Sequence, residues 1–232
     1  KESVPDCYAD LGYRTVSSNP CGEIPLCPYD SCRLLAINLY SYVVNPFKPD
    51  AYFDFELFKK HVALAQRIMD DIIDLELEKI ERIMSKIDAA PQSEDVKQTE
   101  RVLWQKIYKK SAHGRRTGVG ITAEGDMLAA LGLRYGTEEA TEFSEQVHKT
   151  VALNAYRSSI EMAKERGAFE VYDTEREKNN PFINRLREAD PEMYEEMKKY
   201  GRRNIACLTI APTGTTSLMT QTTSGIEPVF LP

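Results

Sequence analysis

The chain has 232 residues, 42% hydrophobic and 28% charged, with a formal net charge of −6, the profile of a globular protein with one large or two small α/β domains. Neither the whole chain nor any long segment is strongly basic, which argues against a general binder of nucleic acid or membrane surfaces and leaves small anionic ligands open. Five cysteines form an odd number in a chain too long to need staples. With no signal peptide or apolar run of membrane-spanning length, they point to a reducing, cytoplasmic setting.

Residues 1–17 offer a polar start with Pro5 and Gly12 and little else. The next stretch, Ser18-Asn19-Pro20-Cys21-Gly22-Glu23-Ile24, is the most informative in the chain, because an amide, a thiol and a carboxyl occupy alternate positions. Run extended, it sends Asn19, Cys21 and Glu23 to one side. Pro20 stiffens the backbone, and Gly22 leaves room for a ligand or another backbone beside the sulfur. The other reading is a loop in which Cys21 is a small buried hydrophobe and Glu23 is solvated. Cys21, Cys27 and Cys32 lack C-x-x-C spacing and His61, His113 and His148 are scattered, so no metal site is expected.

After Pro25, Pro28 and Asp30, the apolar run from Cys32 to Val44 is expected to be a buried strand, with a short helix as the alternative. Asn45-Pro46 and Lys48-Pro49-Asp50 end it. Asp54 caps a long helix whose stripe is Phe55, Phe58, Val62, Ala65, Met69, Ile72, Ile80, Ile83 and Ile87. Pro91 breaks it. Ser93 caps a second helix, with Val96, Leu103, Trp104 and Ile107 as its packing face.

Residues 116–122 predict a short strand leading into a helix that ends near Gly132. Gly118, Gly120 and Gly125 do not fit G-x-G-x-x-G and are read as close packing. Thr137 caps a long helix closed by Gly167, residues 173–180 are a solvated charged excursion, and Asp190-Pro191 opens a helix that Gly201 closes. Residues 204–210 predict a strand. The loop Ala211-Pro212-Thr213-Gly214-Thr215-Thr216-Ser217 follows it, with hydroxyls around one glycine at a strand-to-helix junction. That loop is either a phosphate cradle or a threonine-rich helix cap. Alternating helices and short strands argue for α/β layering with the long helices outside, and nothing marks a domain boundary.

Asn19-Pro20-Cys21-Gly22-Glu23, Cys32 before an apolar strand, the loop of residues 212–217 and Ser224-Gly225-Ile226-Glu227-Pro228 follow one another in this order. Together they resemble the catalytic large subunit of the ribonucleotide reductases, most closely the adenosylcobalamin-dependent class II. The resemblance runs over almost the whole chain and implies part of a ten-stranded α/β barrel of two half-barrels, with the finger loop at about 17–25 and the second half-barrel over about 31–232. It implies that Cys21 becomes the thiyl radical that takes the 3′ hydrogen, that Glu23 is the base on the 3′ hydroxyl, and that Asn19 holds the substrate hydroxyls. It implies further that Cys32 is one member of the reducing dithiol. By the same resemblance Pro212, Thr213, Gly214, Thr215 and Thr216 are expected to grip the substrate phosphates, with Pro20 and Gly22 completing the finger's binding surface.

The same resemblance implies a ribonucleotide substrate, nucleotide effectors, a thioredoxin-like reductant, adenosylcobalamin as cofactor and a homodimer at full length. The chain begins at Lys1 without methionine and ends on Leu231-Pro232, so it is expected to be an internal piece without turnover of its own. In the family the second dithiol cysteine lies upstream of the finger. Cys7 is too near in sequence for that part, and Cys27 and Cys207 are taken as structural. Two alternatives stand beside this reading: a reductase subunit whose radical comes from a separate metal-containing subunit, and a phosphate-binding helical module in which Cys21 is inert.

Overall fold

The computed structural model describes residues 4–229; the terminal Lys1 and Leu231-Pro232 lie outside them. Two compact units interleave along the sequence: the first takes Lys1–Arg33, Arg67–Thr117 and Ser159–Ala206, the second Leu34–Gln66, Gly118–Ser158 and Cys207–Pro232.

In the first unit, strands β1 (Ser17–Ser18) and β2 (Pro25–Leu26) form an antiparallel pair, with Ser17 opposite Leu26 and Ser18 opposite Pro25. The polar start proves to be core: Cys7 and Tyr8 pack with Cys27, Phe169 and Ile205, all buried. Helix α1 (Phe55–Ala89) enters this unit at Arg67, and α2 (Glu94–Gly114) lies wholly within it. On α1 the buried stripe runs through Met69, Ile73, Ile80 and Ile87, while Ile72 is 38% exposed. Steps of four and seven residues keep Ile73, not its neighbour, on the inner face. The expected packing face of α2 is only half covered: Val96 and Leu103 are each 44% exposed, while Trp104 and Ile107 are half-buried. Ser93 sits at the N-cap but its hydroxyl makes no capping bond.

Residues 173–180 depart from a solvated excursion. They include a one-turn helix, α5 (Thr174–Glu177), whose Glu177 is buried against Arg202 through a bidentate pair. Helix α6 (Pro181–Ala189) follows, capped by Asn180, whose side chain accepts from the Phe182 and Ile183 amides at 2.9 and 3.3 Å. Helix α7 (Pro191–Tyr200) starts at Asp190, which accepts from the Met193 amide at 3.0 Å. The carboxylates of Asp70, Asp71 and Asp74 approach within 4.8 Å of one another. Arg115 pairs with Asp70 and Asp74, Arg166 with Asp71 and Arg203 with Asp70, so this is an ion-pair network in charge balance.

In the second unit, β3 (Arg33–Asn38) pairs with β6 (Thr117–Thr122), and β4 (Val43–Val44) pairs antiparallel with β5 (Tyr52–Phe53). The apolar run from Cys32 is therefore not one strand. Asn38 breaks it by accepting from the Tyr40 amide at 3.1 Å, which starts a 3-10 turn over Leu39–Tyr42. Asp54 caps α1 by accepting from the Leu57 amide at 2.9 Å. Tyr42, Phe53, Phe58 and Phe143 build an aromatic core.

Helix α3 (Glu124–Ala130) follows β6, and α4 (Glu138–Arg166) begins here before passing into the first unit. Residues 204–210 form no full strand: one parallel bridge joins Val119 to Leu208. A Cβ on Gly120 would lie 2.0 Å from the Thr209 carbonyl oxygen, so only glycine lets these two backbones meet. Helix α8 (Gly214–Thr220) closes the unit. Among the described residues the strands form three two-stranded pairings, a mixed α/β arrangement in which the ten strands of the barrel of which the resemblance makes this chain a part are not seen.

Candidate active site

The finger is a tight hairpin, not an extended strand. Asn19 and Ile24 close it: the Asn19 amide donates to the Ile24 carbonyl and the Ile24 amide to Asn19 Oδ1, both at 3.0 Å. Within it the Gly22 amide donates to the Asn19 carbonyl at 3.0 Å, which makes Asn19-Pro20-Cys21-Gly22 a β-turn with proline where its fixed φ is wanted. Gly22 has φ +84° and nothing within 4 Å of a built Cβ. Its glycine serves the backbone angle, and no neighbour approaches it.

Alternation of side chains does not hold through such a turn, so the three groups share a short hairpin rather than one strand face. Ile24 is buried and anchors the tip, while Cys21 is exposed, not enclosed in a dry interior. Asn19 uses its oxygen to hold the turn, leaving its NH₂ as donor. Glu23 carries a buried carboxylate oxygen, Oε2, with no hydrogen-bond partner among the described residues. An acceptor of this kind is costly to bury unless a ligand uses it.

Cys32 is half-buried at the entry to β3. Burial pushes its thiol up to about 11, Arg116 and Arg33 act in the opposite sense, and Asp30 and Glu23 add to the rise. Burial also pushes Cys7 up to about 12. Cys7 and Cys27 are buried, with their sulfurs donating to the carbonyls of Asp173 and Tyr13, and Cys207 is fully buried. Arg116 is not legible from the sequence as a charge acting on Cys32. Asp30 and Arg33 flank it in sequence, whereas Arg116 arrives from the far end of α2.

The threonine loop belongs to the second unit. Thr213 takes a left-handed φ of +46° and its hydroxyl does not cap α8. It accepts instead from the Gly225 amide at 2.7 Å and shares a hydrogen bond with Thr122 at 3.0 Å. The Ser217 hydroxyl donates to the Gly214 carbonyl at 2.8 Å and shares a 2.7 Å bond with Ser224. The two motifs separated in sequence, residues 212–217 and 224–228, are thus latched together. Pro212, Gly214, Thr215 and Thr216 remain exposed, and the amides of residues 214–216 open a helix, where no intrahelical acceptor is available. At Gly125 a Cβ would lie 2.7 Å from the Glu227 carbonyl oxygen, so that glycine is needed where the latch passes.

Residues 11–232 match the family model described as ribonucleotide reductase, barrel domain. The chain belongs to the ribonucleotide reductase barrel-domain family. It is 34% identical over 215 residues to the vitamin B12-dependent ribonucleoside-diphosphate reductase of Thermoplasma acidophilum, covering 92% of this chain and 22% of that protein. It is 30% identical over 217 residues to the protein of the same name from Mycobacterium tuberculosis, covering 94% and 24%. The class Id ribonucleotide reductase alpha subunit of Actinobacillus ureae shares the fold at a TM-score of 0.59 and 20% identity, over 98% of this chain and 34% of that one. The chain spans about a quarter of the length of the curated relatives it matches. No helix among the described residues is long and apolar enough to cross a membrane.

Proposed function

We propose that this protein reduces ribonucleotides to 2′-deoxyribonucleotides, with Cys21 as the reacting thiol. The observation that supports the reading is the hairpin, which carries in one short turn an exposed thiol, a carboxamide whose NH₂ is left as donor, and a buried carboxylate oxygen without a partner among the described residues. The names of the relatives point to ribonucleoside diphosphates as substrates. Those names also point to cobalamin. Among this chain's residues the exposed Cys21 sulfur fits it, since a group that removes the thiol hydrogen needs open access. Adenosylcobalamin, when bound, supplies the hydrogen-abstracting chemistry that converts a thiol into a thiyl radical.

The residues then divide the work. The Cys21 sulfur takes hydrogen from C3′, forming S–H as C–H breaks. These bonds are close in strength, so the transfer is reversible. Glu23 takes the 3′ hydroxyl proton through its unpartnered oxygen, and the Asn19 NH₂ holds the substrate hydroxyls. The 2′ hydroxyl leaves as water. Cys32 and a second cysteine supply two electrons and two hydrogens, one as the proton that the departing water takes and one to C2′, and end as a disulfide, after which Cys21 returns its hydrogen to C3′ and Glu23 returns its proton to O3′. The exposed amides at Gly214, Thr215 and Thr216, beside Pro212 and Thr213, bind the phosphates. Nucleotide effectors, a thioredoxin-like reductant, a homodimer and a cytoplasmic setting complete the proposal.

The test is to give the full-length protein a ribonucleoside diphosphate, a dithiol reductant and adenosylcobalamin, with no partner protein, and to measure deoxynucleotide. Product is expected. Product only when a metal-containing subunit is added would replace the cofactor. Product under neither condition would overturn the function.

A further inference from the structure

Thr122 is the last residue of β6 and is 1% exposed, yet its hydroxyl is fully engaged. It donates to the Thr223 carbonyl at 3.1 Å and lies 3.0 Å from the Thr213 hydroxyl. A carbonyl oxygen only accepts, so the single Thr122 proton is committed to Thr223. The proton in the bond between the two hydroxyls then comes from Thr213, whose oxygen already accepts from the Gly225 amide at 2.7 Å. A chain of one polarity results: Gly225 N–H to Thr213, Thr213 O–H to Thr122, and Thr122 O–H to the Thr223 carbonyl.

Both ends of this chain lie on residues 223–225, a segment that other bonds hold against the end of β6. The Ala123 amide donates to the Thr223 carbonyl at 3.0 Å, the Glu124 amide to the Gly225 carbonyl at 3.3 Å, and the Thr223 amide to Asp126 Oδ2 at 2.6 Å. All of these residues belong to the second unit. Thr122 and the 223–225 segment are thus a fixed frame, and Thr213 hangs in it by its hydroxyl. Thr213 needs such a hold, because its φ of +46° is one that β-branched residues avoid. An outlier of this kind persists only where its surroundings over-determine it. The backbone angles at Thr213 also set the direction of the chain that follows, and with it the direction of the amides at residues 214–216.

We propose that Thr122 is a positioning residue for the phosphate loop: by fixing the Thr213 hydroxyl it holds the left-handed turn that aims the amides of residues 214–216 at the substrate phosphates. The inference rests on the reading of residues 212–216 as the loop that binds those phosphates, and it adds no second site. Without the Thr122 hydroxyl, the Thr213 proton loses its acceptor, while the Thr223 carbonyl keeps its bond from Ala123. The frame survives and the loop is released.

The test is calorimetric titration of the full-length protein with cytidine diphosphate and with cytidine. The unaltered protein is expected to bind the diphosphate more tightly by about tenfold or more, the worth of one hydrogen bond to a charged group. Thr122→Val, close in shape but without the hydroxyl, is expected to lose about tenfold in diphosphate affinity and to keep cytidine affinity within about twofold. Thr122→Ser, which has the hydroxyl without the methyl, is expected to restore the diphosphate affinity. A general loosening of the fold would instead weaken both ligands together and would not be repaired by serine. Equal losses for the two ligands, a serine variant as weak as the valine one, or diphosphate binding untouched by Thr122→Val would each overturn the proposal. If Thr122→Val does not fold, Thr122→Cys, with a weak donor of similar size in place of the hydroxyl, decides by the same comparison. The unaltered protein separates the two levels. Equal affinity for cytidine and its diphosphate there removes the phosphate reading of the loop and the role of Thr122 with it. A diphosphate preference that Thr122→Val leaves intact removes the role of Thr122 alone.

Discussion

Cys21→Ser in the full-length protein is expected to abolish deoxynucleotide formation, a fall of at least about 10⁴-fold, the scale on which enzymes lose rate when the reacting side chain is removed. A serine O–H bond is much stronger than a sugar C–H bond, so an oxygen at this position has no balanced hydrogen exchange with C3′. The hairpin should survive the change, because its closure depends on Asn19, Gly22 and Ile24 and not on the sulfur, which is exposed. Nucleotide affinity, measured by calorimetry, is therefore expected to stay within about threefold, since no bound-state hydrogen bond of ordinary worth is removed. Loss of binding together with turnover would assign the cysteine to folding. Retained turnover would assign the chemistry elsewhere.

The second large effect concerns stability. Arg202 is buried, bidentate with Glu177, and donates to the carbonyls of Asn204 and Ile205 at 3.0 Å each. Its guanidinium also lies 5.5 Å from the centre of the Phe169 ring. Arg202→Met strands the Glu177 charge in the interior and is expected to cost about 3–5 kcal/mol in denaturant unfolding. The pair Arg202→Met with Glu177→Leu should recover much of that, because an apolar pair leaves no uncompensated charge. A single-variant loss under about 0.5 kcal/mol, the range of an ordinary surface change, would show that the pair is not the lock of the first unit.

Local chemistry was the part of this protein open to reading from sequence. Asp54, Thr137 and Asp190 announce their helices because a cap is a short-range bond, and the β-turn lies in Asn19-Pro20-Cys21-Gly22 itself. Helix α6 carries the same signal, Asn180-Pro181, and was obscured by the charged residues before it. What could not be read depends on partners distant in sequence. Glu177 looks solvated until Arg202 arrives 25 residues later, and the apolar stripe of α2 looks like packing surface although Val96 and Leu103 face solvent. The long apolar run after Cys32 hid its break because one side chain, Asn38, turns the backbone. In the candidate site the motifs named the candidate groups, but of the charges acting on Cys32 that of Arg116 comes from 84 residues away in sequence.

The division of labour between the two thiols can be measured in one experiment. The full-length protein is reduced, freed of reductant and mixed with adenosylcobalamin and ribonucleotide, and the loss of alkylatable Cys21 and Cys32 is compared with the deoxynucleotide formed. The account predicts that Cys32 becomes unreactive in step with product while Cys21 stays free. Product formed with Cys32 still fully alkylatable, or with Cys21 consumed in its place, would contradict it.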